Sequence, residues 1–221
     1  MNLSFDFTIR YSKKEYLERF RAGELYFNTI KYFSKIEDSS DLKFLIKDEH
    51  DCATESWGWK EFDIYDNTYK KYKRLFSGTT TKGSYDGNIF CLTHIRKDNF
   101  LVNQIYDMKE IVDHQKTGLG YDNFVIISDL DELIKRLKVA LNKQNLNLLY
   151  NKVNYIDFNQ YIGNLKFFHK DLKYNSQNEF RFYIPRKTFG LKDVITLNIG
   201  DISDITSEIL SVNENFSCTV S

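Results

Sequence analysis

The sequence begins with its clearest periodic pattern. In LSFDFTIRY, residues 3–11, every odd-numbered residue is apolar or aromatic and every even-numbered residue is polar. Successive side chains of an extended chain point to opposite sides. The alternation therefore predicts a strand with one buried face and one solvent-facing face. Arg10 lies on the polar face of that strand.

The next segment, KKEYLERFRAG, has the signals of a short helix. Ser12 is placed to cap the N-terminus, Glu15 completes a capping box, and Gly23 is placed to end the helix. Helical spacing also gives the segment an apolar stripe. The stripe consists of Tyr16, Leu17 and Phe20.

A longer helix is predicted after the apolar run FVIISD. Ser128 and Asp131 have the spacing of a capping box at its start. Leucine and isoleucine then recur at helical spacing, which predicts a buried face. These residues are Leu130, Leu133, Ile134, Leu137 and Leu141.

The remaining apolar runs predict strands separated by turn-rich segments. Strands are expected over ELYFNTI, IFCLTHI, FVIISD, YNKVNYIDF, SQNEFRFYIP and DVITLNIG, and DISDITSEIL is expected to be a terminal helix or turn. Strands and helices alternate irregularly, and no linker or repeat interrupts the chain. We therefore predict one α+β domain over residues 1–221, with twisted, mostly antiparallel sheets and flanking helices. Residues 41–87 have no sustained period and are predicted to be an insertion or a lid.

Composition disfavours several classes of function. Lysine plus arginine equals aspartate plus glutamate at 31 each, so no overall field attracts nucleic acid or an anionic membrane. Cys52, Cys91 and Cys218 are far apart and form no CxxC pair, which disfavours a disulfide framework or a zinc site and favours a reducing compartment. No secretory signal or membrane-spanning run is recognisable. We expect a cytoplasmic protein without a membrane partner.

Candidate chemistry is concentrated in SQNEFRFYIP. Gln177, Glu179 and Arg181 share one face of the predicted strand, and residues two apart on a strand are separated by about 6.6 Å. A carboxylate beside a sugar can stabilise a cationic transition state, and the nearby amide can orient an acceptor. The alternative is an ordinary exposed ion pair between Glu179 and Arg181. From these residues alone, the ion pair is the more common explanation.

The Gln/Glu-x-Glu pattern at the start of a strand resembles the catalytic signature of ADP-ribosyltransferases, which cleave the nicotinamide–ribose bond of NAD. That family also carries an Arg or His on its first strand and a Ser/Thr-x-Ser element on another strand. Here Arg10 matches the first feature. Residues 91–93, Cys-Leu-Thr, match the second, with Cys91 in place of the first hydroxyl.

The resemblance implies a fold, a cofactor and a set of site residues. The fold would be that of the ADP-ribosyltransferases and the cofactor would be NAD. Glu179 would hold the ribose and stabilise the cation, and Gln177 would steer the acceptor. Arg10, Thr93 and Arg181 would bind the cofactor, with Thr93 also supporting Glu179. No metal site is implied.

Three segments also resemble the ordered landmarks of an uncharacterised bacterial domain family. They are RAGELYFNTIKYFSKIED, IFCLTHI and FHKDLKYNSQNEFRFYI. The resemblance implies an NAD-dependent ADP-ribosyltransferase or NAD glycohydrolase that modifies a host macromolecule, as a toxin, a defence protein or a phage effector. A protein is expected as the acceptor or binding partner in preference to a nucleic acid.

Two alternatives remain open. An inactive relative, or an anti-host or anti-defence factor, would bind a protein through its aromatic surface, for which WGWKEFDIYDNTYKKYKRLF at residues 57–76 is a candidate. A metal-dependent nuclease would use the acidic cluster KDEHDC, from Asp48 to Asp51. Consecutive residues fan out in different directions, so a solvated loop is the simpler explanation of this cluster.

Overall fold

The computed structural model describes residues 2–3, 7–30, 32, 55–58, 62–66, 71–75, 79–82, 86–95, 105–107, 122–158, 160–161, 163–186, 194–213 and 217–220. Side-chain surroundings are described for residues 7–30, 32, 86–95, 122–158, 160–161, 164–186 and 194–213. Within these ranges the fold is mixed α and β and is dominated by antiparallel sheet. The α+β prediction is confirmed at this level.

Helix α1 covers Lys14–Arg21, helix α2 covers Leu130–Asn142, and a 3-10 helix covers Leu172–Gln177. The strands are β1 (Asn2–Leu3), β2 (Phe7–Ser12), β3 (Glu24–Thr29), β4 (Glu55–Gly58), β5 (Phe62–Asp66), β6 (Lys71–Leu75), β7 (Thr79–Lys82), β8 (Gly87–Ile95), β9 (Ile105–Asp107), β10 (Asn123–Ile127), β11 (Leu149–Lys152), β12 (Asn154–Ile156), β13 (Gly163–Asn164), β14 (His169–Asp171), β15 (Glu179–Pro185), β16 (Ile195–Asn198), β17 (Leu210–Ser211) and β18 (Ser217–Val220).

The central sheet has the strand order β11-β15-β8-β2-β10-β17, and β3 joins it by pairing with both β8 and β16. Every pair in this sheet is antiparallel. Smaller sheets are formed by β1-β18-β9, β12-β14, β13-β4-β7 and β5-β6. In these, β1-β18 and β12-β14 are parallel pairs.

The main core lies between one face of the central sheet and the helices. Strand β15 contributes Phe180, Phe182 and Ile184, as its alternation predicts. Helix α2 contributes its predicted stripe, in which Leu133, Leu137 and Leu141 are fully buried. Burying large apolar side chains stabilises a fold by roughly 1.5–3 kcal/mol each relative to exposure. The sheet and α2 therefore share one apolar core.

Strand β2 is buried on both faces except at Arg10, which is partly exposed, so the prediction of a solvent-facing side was wrong. Thr8 pairs with Ile127 and Arg10 with Val125 on the adjacent strand β10, which places both polar residues on the side of the main core. Thr8 is 1% exposed. A strand in the interior of a sheet between two packed layers has no solvent-facing side, whatever its local alternation indicates.

Both predicted capping boxes were wrong by one residue. Helix α1 follows Lys13, which makes no side-chain capping bond, while Ser12 ends β2. Helix α2 is capped by Asp129, whose carboxylate accepts a hydrogen bond from the Glu132 amide at 2.8 Å. Ser128 instead donates its hydroxyl hydrogen to the Ile205 carbonyl at 3.1 Å. The residue that caps the N-terminus of a helix has an extended backbone. In α2 that residue is Asp129.

Gly23 ends α1 as predicted, and the reason lies partly in tertiary packing. Its φ of +88° is in the left-handed region that glycine adopts without strain. A Cβ at this position would also collide with the backbone carbonyl of Gly200. The turn after α1 thus lets two backbones approach closely.

Other segments differ from their predicted structure. YNKVNYIDF is divided into β11 and β12 at Val153, whose amide bonds to the Glu179 carbonyl. For DISDITSEIL, the turn is confirmed and the helix is not, and its last residue begins β17. Strand β7 lies within residues 41–87, where the sequence showed no sustained period. The prediction of a lid at residues 41–87 rests largely on residues outside those the structure describes.

Candidate active site

A cleft of about 610 Å³ opens where the central sheet splits. On one side residues 87–93 of β8 pair with the whole of β15. On the other side β8 pairs with β2 only through residues 93–95 and with β3 only through residues 88–89. Beyond these short contacts β2 follows β10 and β3 follows β16. Residues 90–92 consequently face the cleft at an edge that neither β2 nor β3 covers.

Arg10 lies at this split. Its Nη1 donates a hydrogen bond to the Cys91 carbonyl at 2.7 Å, and its guanidinium lies 4.5 Å from the centre of the Phe90 ring. The side chain thus contacts the uncovered edge of β8 and lines the cleft. A guanidinium fixed in this way is arranged to meet an anionic or polar ligand.

Thr93 and Glu179 are brought together by strand register. Thr93 pairs with Glu179 on β15 and with Ile9 on β2, so the three residues form one row across three strands. Both Thr93 and Glu179 are about 6% exposed and line the cleft. The register accounts for the predicted proximity of Thr93 to the carboxylate.

The Glu179 carboxylate is held by two cations. Oε1 accepts a hydrogen bond from Arg181 Nε at 2.5 Å, and Oε2 accepts one from Lys170 Nζ at 3.1 Å. The neighbouring Cys91 side chain also lowers the pKa of this carboxylate, to a smaller extent. Burial alone would raise the pKa of Glu179, but Arg181 and Lys170 outweigh it and hold the pKa well below the usual range. The carboxylate is therefore ionised at neutral pH.

Arg181 does not line the cleft, in contrast to its predicted contact with a cofactor. The side chain is 0% exposed, and Nη1 donates to the Phe167 carbonyl at 2.9 Å. The ion pair with Glu179 that the sequence offered as an alternative does exist, but it is buried and not exposed. Arg181 therefore supports Glu179 from behind.

Gln177 lines the cleft, although it is not on the strand as predicted. It is the last residue of the 3-10 helix, and Asn178 then adopts a left-handed conformation with φ of +41°. The Glu179 amide donates to the Tyr155 hydroxyl at 2.8 Å, which fixes the start of β15. A tight turn, and not the two-residue period, places Gln177 and Glu179 beside one cleft.

Sequence reasoning missed several cleft residues, among them Lys170 and three tyrosines. Lys170 lies in a segment for which no helix or strand was predicted, and Tyr26 and Tyr32 carried no signal. Tyr16 was assigned to the buried stripe of α1, but it is 50% exposed at the cleft. The presence of Lys-Asp-Leu-Lys shortly before the candidate glutamate was the one available hint for Lys170.

Cys91 is poorly suited to act as a nucleophile. Burial and the adjacent charge of Glu179 raise the pKa of its thiol well above the usual value, and the thiolate is the reactive form. His94 packs on Phe180, on the opposite face of the sheet. Cys91 and His94 are therefore not placed to act as a catalytic pair.

The acidic cluster Asp48–Asp51 and the side chains of residues 57–76 lie outside the described part of the chain. In that part, no group of three or more His, Cys, Asp or Glu residues is arranged to hold a metal ion. Across the described ranges, no helix has both the length and the apolar character needed to cross a membrane. Comparison with protein-family models, curated proteins and solved structures gave no significant match.

Proposed function

We propose that the chain binds NAD in the split cleft, cleaves the nicotinamide–ribose bond, and transfers ADP-ribose to a macromolecular acceptor or to water. The observation that carries this proposal is the convergence of Arg10, Thr93, Gln177 and Glu179 on one cleft. These residues come from distant parts of the sequence, and the resemblance to ADP-ribosyltransferases required them to meet. The proposal includes an ADP-ribosyltransferase-like arrangement of the split sheet.

The cleft is suited to a ligand of this class in size and composition. Its volume lies within the range of about 300–1,000 Å³ that is typical of small-molecule sites. Exposed aromatic rings line the cleft, and Arg10 and Glu179 contribute opposite charges to it. A dinucleotide presents matching features, namely two bases, ribose hydroxyls and a diphosphate.

The chemistry follows from an ionised, buried carboxylate. When the bond between C1′ of the ribose and the nicotinamide nitrogen breaks, both bonding electrons leave with nicotinamide, which becomes neutral. The positive charge moves to the ribose. Glu179 is fixed where it can accept a hydrogen bond from a ribose hydroxyl and stabilise the positive charge on the ribose. A carboxylate that is held in place before the reaction, in a low-dielectric site, stabilises such a charge effectively.

The acceptor then attacks C1′ and loses a proton to solvent or to a neighbouring base. The side-chain amide of Gln177 is placed to orient the acceptor through its oxygen or nitrogen. A protein acceptor fits the chain better than a nucleic acid, because equal numbers of basic and acidic residues provide no general attraction to phosphate backbones.

A non-catalytic binding factor is the second candidate, and one observation favours it. Tyr16, Tyr26 and Tyr32 are each at least 50% exposed and lie together at the cleft. Exposed tyrosines are common in the energetic centres of protein interfaces. On this alternative, Glu179 with its two cations is a structural ion cluster and the cleft accepts a partner side chain.

Incubation of the purified protein with NAD separates the two candidates. The enzyme releases nicotinamide, and NAD raises its melting temperature because a ligand that binds only the folded state stabilises it. Gln177→Ala is expected to lower transfer to an acceptor by roughly tenfold or more through loss of orientation, while Ser176→Ala on the same turn serves as the control. No nicotinamide release and no thermal shift at saturating NAD would favour the binding factor.

A further inference from the structure

Two tyrosines that line the cleft are carried by neighbouring faces of α1 and β3. Tyr16 on α1 and Tyr26 on β3 are each about half exposed. Arg19 lies three residues after Tyr16, on the same face of α1. Glu24 lies two residues before Tyr26, on the same face of β3. Since Arg19 and Glu24 form an ion pair, the two faces that carry the rings are joined at the cleft.

The face of β3 that carries Tyr26 also carries a hydrogen-bond donor. Asn28 lies two residues further along the strand and lines the cleft. Its Oδ1 accepts a hydrogen bond from the Thr29 amide at 2.9 Å. Because that bond engages the oxygen, Nδ2 is the group with which Asn28 can bind a ligand. The cleft thus has an aromatic ring and an amide donor on neighbouring positions of one strand face.

Strand register places this donor at a distance from Glu179. Asn28 pairs with Ile89 of β8, whereas Glu179 pairs with Thr93. Paired residues project to the same face of a sheet, as do residues four apart on one strand, so all four side chains share one face. Ile89 and Thr93 are separated by about 13 Å, the length of four strand residues. A ligand that contacts both Asn28 and Glu179 is therefore an extended molecule.

A dinucleotide has this form, since two riboses and a diphosphate separate its two bases. On the proposed function, Glu179 binds the ribose of nicotinamide. The adenine is then expected where β3 joins β8, beside Tyr26 and Asn28. Aromatic side chains bind the flat face of a nucleobase by stacking, and an amide donor can bind a ring nitrogen of adenine.

We propose that Tyr26 and Asn28 form the adenine site of the cleft. The adenine ring stacks on Tyr26, and one of its ring nitrogens accepts a hydrogen bond from Asn28 Nδ2. Tyr16, on the joined face of α1, adds a second aromatic contact. The inference rests on the proposed function for the identity of the ligand, and it assigns a binding role to residues that the sequence did not single out.

The test uses two mononucleotides that differ only in the base. Calorimetry measures the binding of AMP and of nicotinamide mononucleotide to the parent protein, Tyr26→Phe, Tyr26→Leu and Asn28→Asp. Tyr26→Leu removes the stacking ring and is expected to weaken AMP binding by about fivefold or more, whereas Tyr26→Phe keeps the ring and should bind AMP as the parent does. Asn28→Asp keeps the oxygen that accepts the Thr29 amide but removes the donor. It should weaken the binding of AMP more than that of nicotinamide mononucleotide.

The inference is overturned if the parent binds no AMP, if Tyr26→Leu and Tyr26→Phe bind AMP equally, or if Tyr26→Leu loses affinity for both mononucleotides in the same proportion. The first of these results would favour a protein partner for the exposed tyrosines. An unchanged AMP affinity of Asn28→Asp would reject the role of Asn28.

Failure of the proposed function has a different signature. In that case AMP binding depends on Tyr26 and Asn28, but the parent protein releases no nicotinamide from NAD. Nicotinamide release combined with an AMP affinity that does not depend on Tyr26 would retain the function and reject the adenine site.

Discussion

Replacing Glu179 with glutamine tests whether the candidate carboxylate also holds the fold together. The substitution preserves shape and removes one negative charge. It leaves Arg181, at 0% exposure, and Lys170, at 6%, buried without their shared counterion. Removing one partner of a buried ion pair costs about 3–5 kcal/mol, because the remaining charge is left uncompensated. Since domains are stable by only about 5–15 kcal/mol, we expect about a fifth or more of the stability to be lost.

Urea unfolding followed by far-ultraviolet circular dichroism at pH 7 measures this loss directly. Glu24→Gln is the matched control, since it removes a carboxylate from an exposed pair with Arg19 and should change the midpoint little. Combining Glu179→Gln with Lys170→Met removes one of the two uncompensated cations. The double variant is expected to be more stable than Glu179→Gln alone, which reveals the coupling of the two sites.

A loss below about 1 kcal/mol for Glu179→Gln, the range of exposed pairs, would refute the description of a buried, doubly paired carboxylate.

The expected instability also affects the design of activity tests. An alanine at position 179 cannot be assumed to leave the fold intact, so loss of NAD turnover in that variant would not by itself identify a catalytic residue.

Three further predictions follow from the same structure. The pKa of Glu179 is lower in the folded chain than in the unfolded chain, so its stabilising contribution is complete above the unfolded pKa of about 4.3 and is lost as the pH falls below that value. Acid unfolding should accordingly be less steep in Glu179→Gln. Gly23→Ala should destabilise the fold by more than about 1 kcal/mol, because of the positive φ at this position and the collision of the new Cβ with Gly200. Gly200→Ala should destabilise it less, because a Cβ at position 200 has open space. Thermal unfolding measures both losses. Cys91 should react slowly with iodoacetamide at pH 7 in the folded protein, and rapid labelling would contradict the raised pKa of its thiol.

The strands and the longer helix could be predicted because their signals are local. Alternation along β15 identified its buried face, and helical spacing identified the buried face of α2. Burial on both sides of β2 could not be predicted, because it depends on β10 and β8 joining as neighbours from distant parts of the chain. Local alternation cannot reveal which layers will cover a strand.

The candidate site was predictable in its residues but not in its construction. Arg10, Thr93, Gln177 and Glu179 all line the cleft. The split that forms the cleft depends on β2 and β3 sharing one edge of β8, which is a property of strand register and not of residue type. Lys170 was missed for the same reason, since its approach to Glu179 depends on the pairing of β14 with β12.

A crystal structure with a hydrolysis-resistant NAD analogue would test the central claim most directly. The account predicts that the analogue lies in the split between β2 and β3, with a hydroxyl of its nicotinamide ribose within hydrogen-bonding distance of the Glu179 carboxylate. An analogue bound on another surface, or a cleft that stays empty at saturating concentration while Glu179 keeps both of its cations, would contradict it.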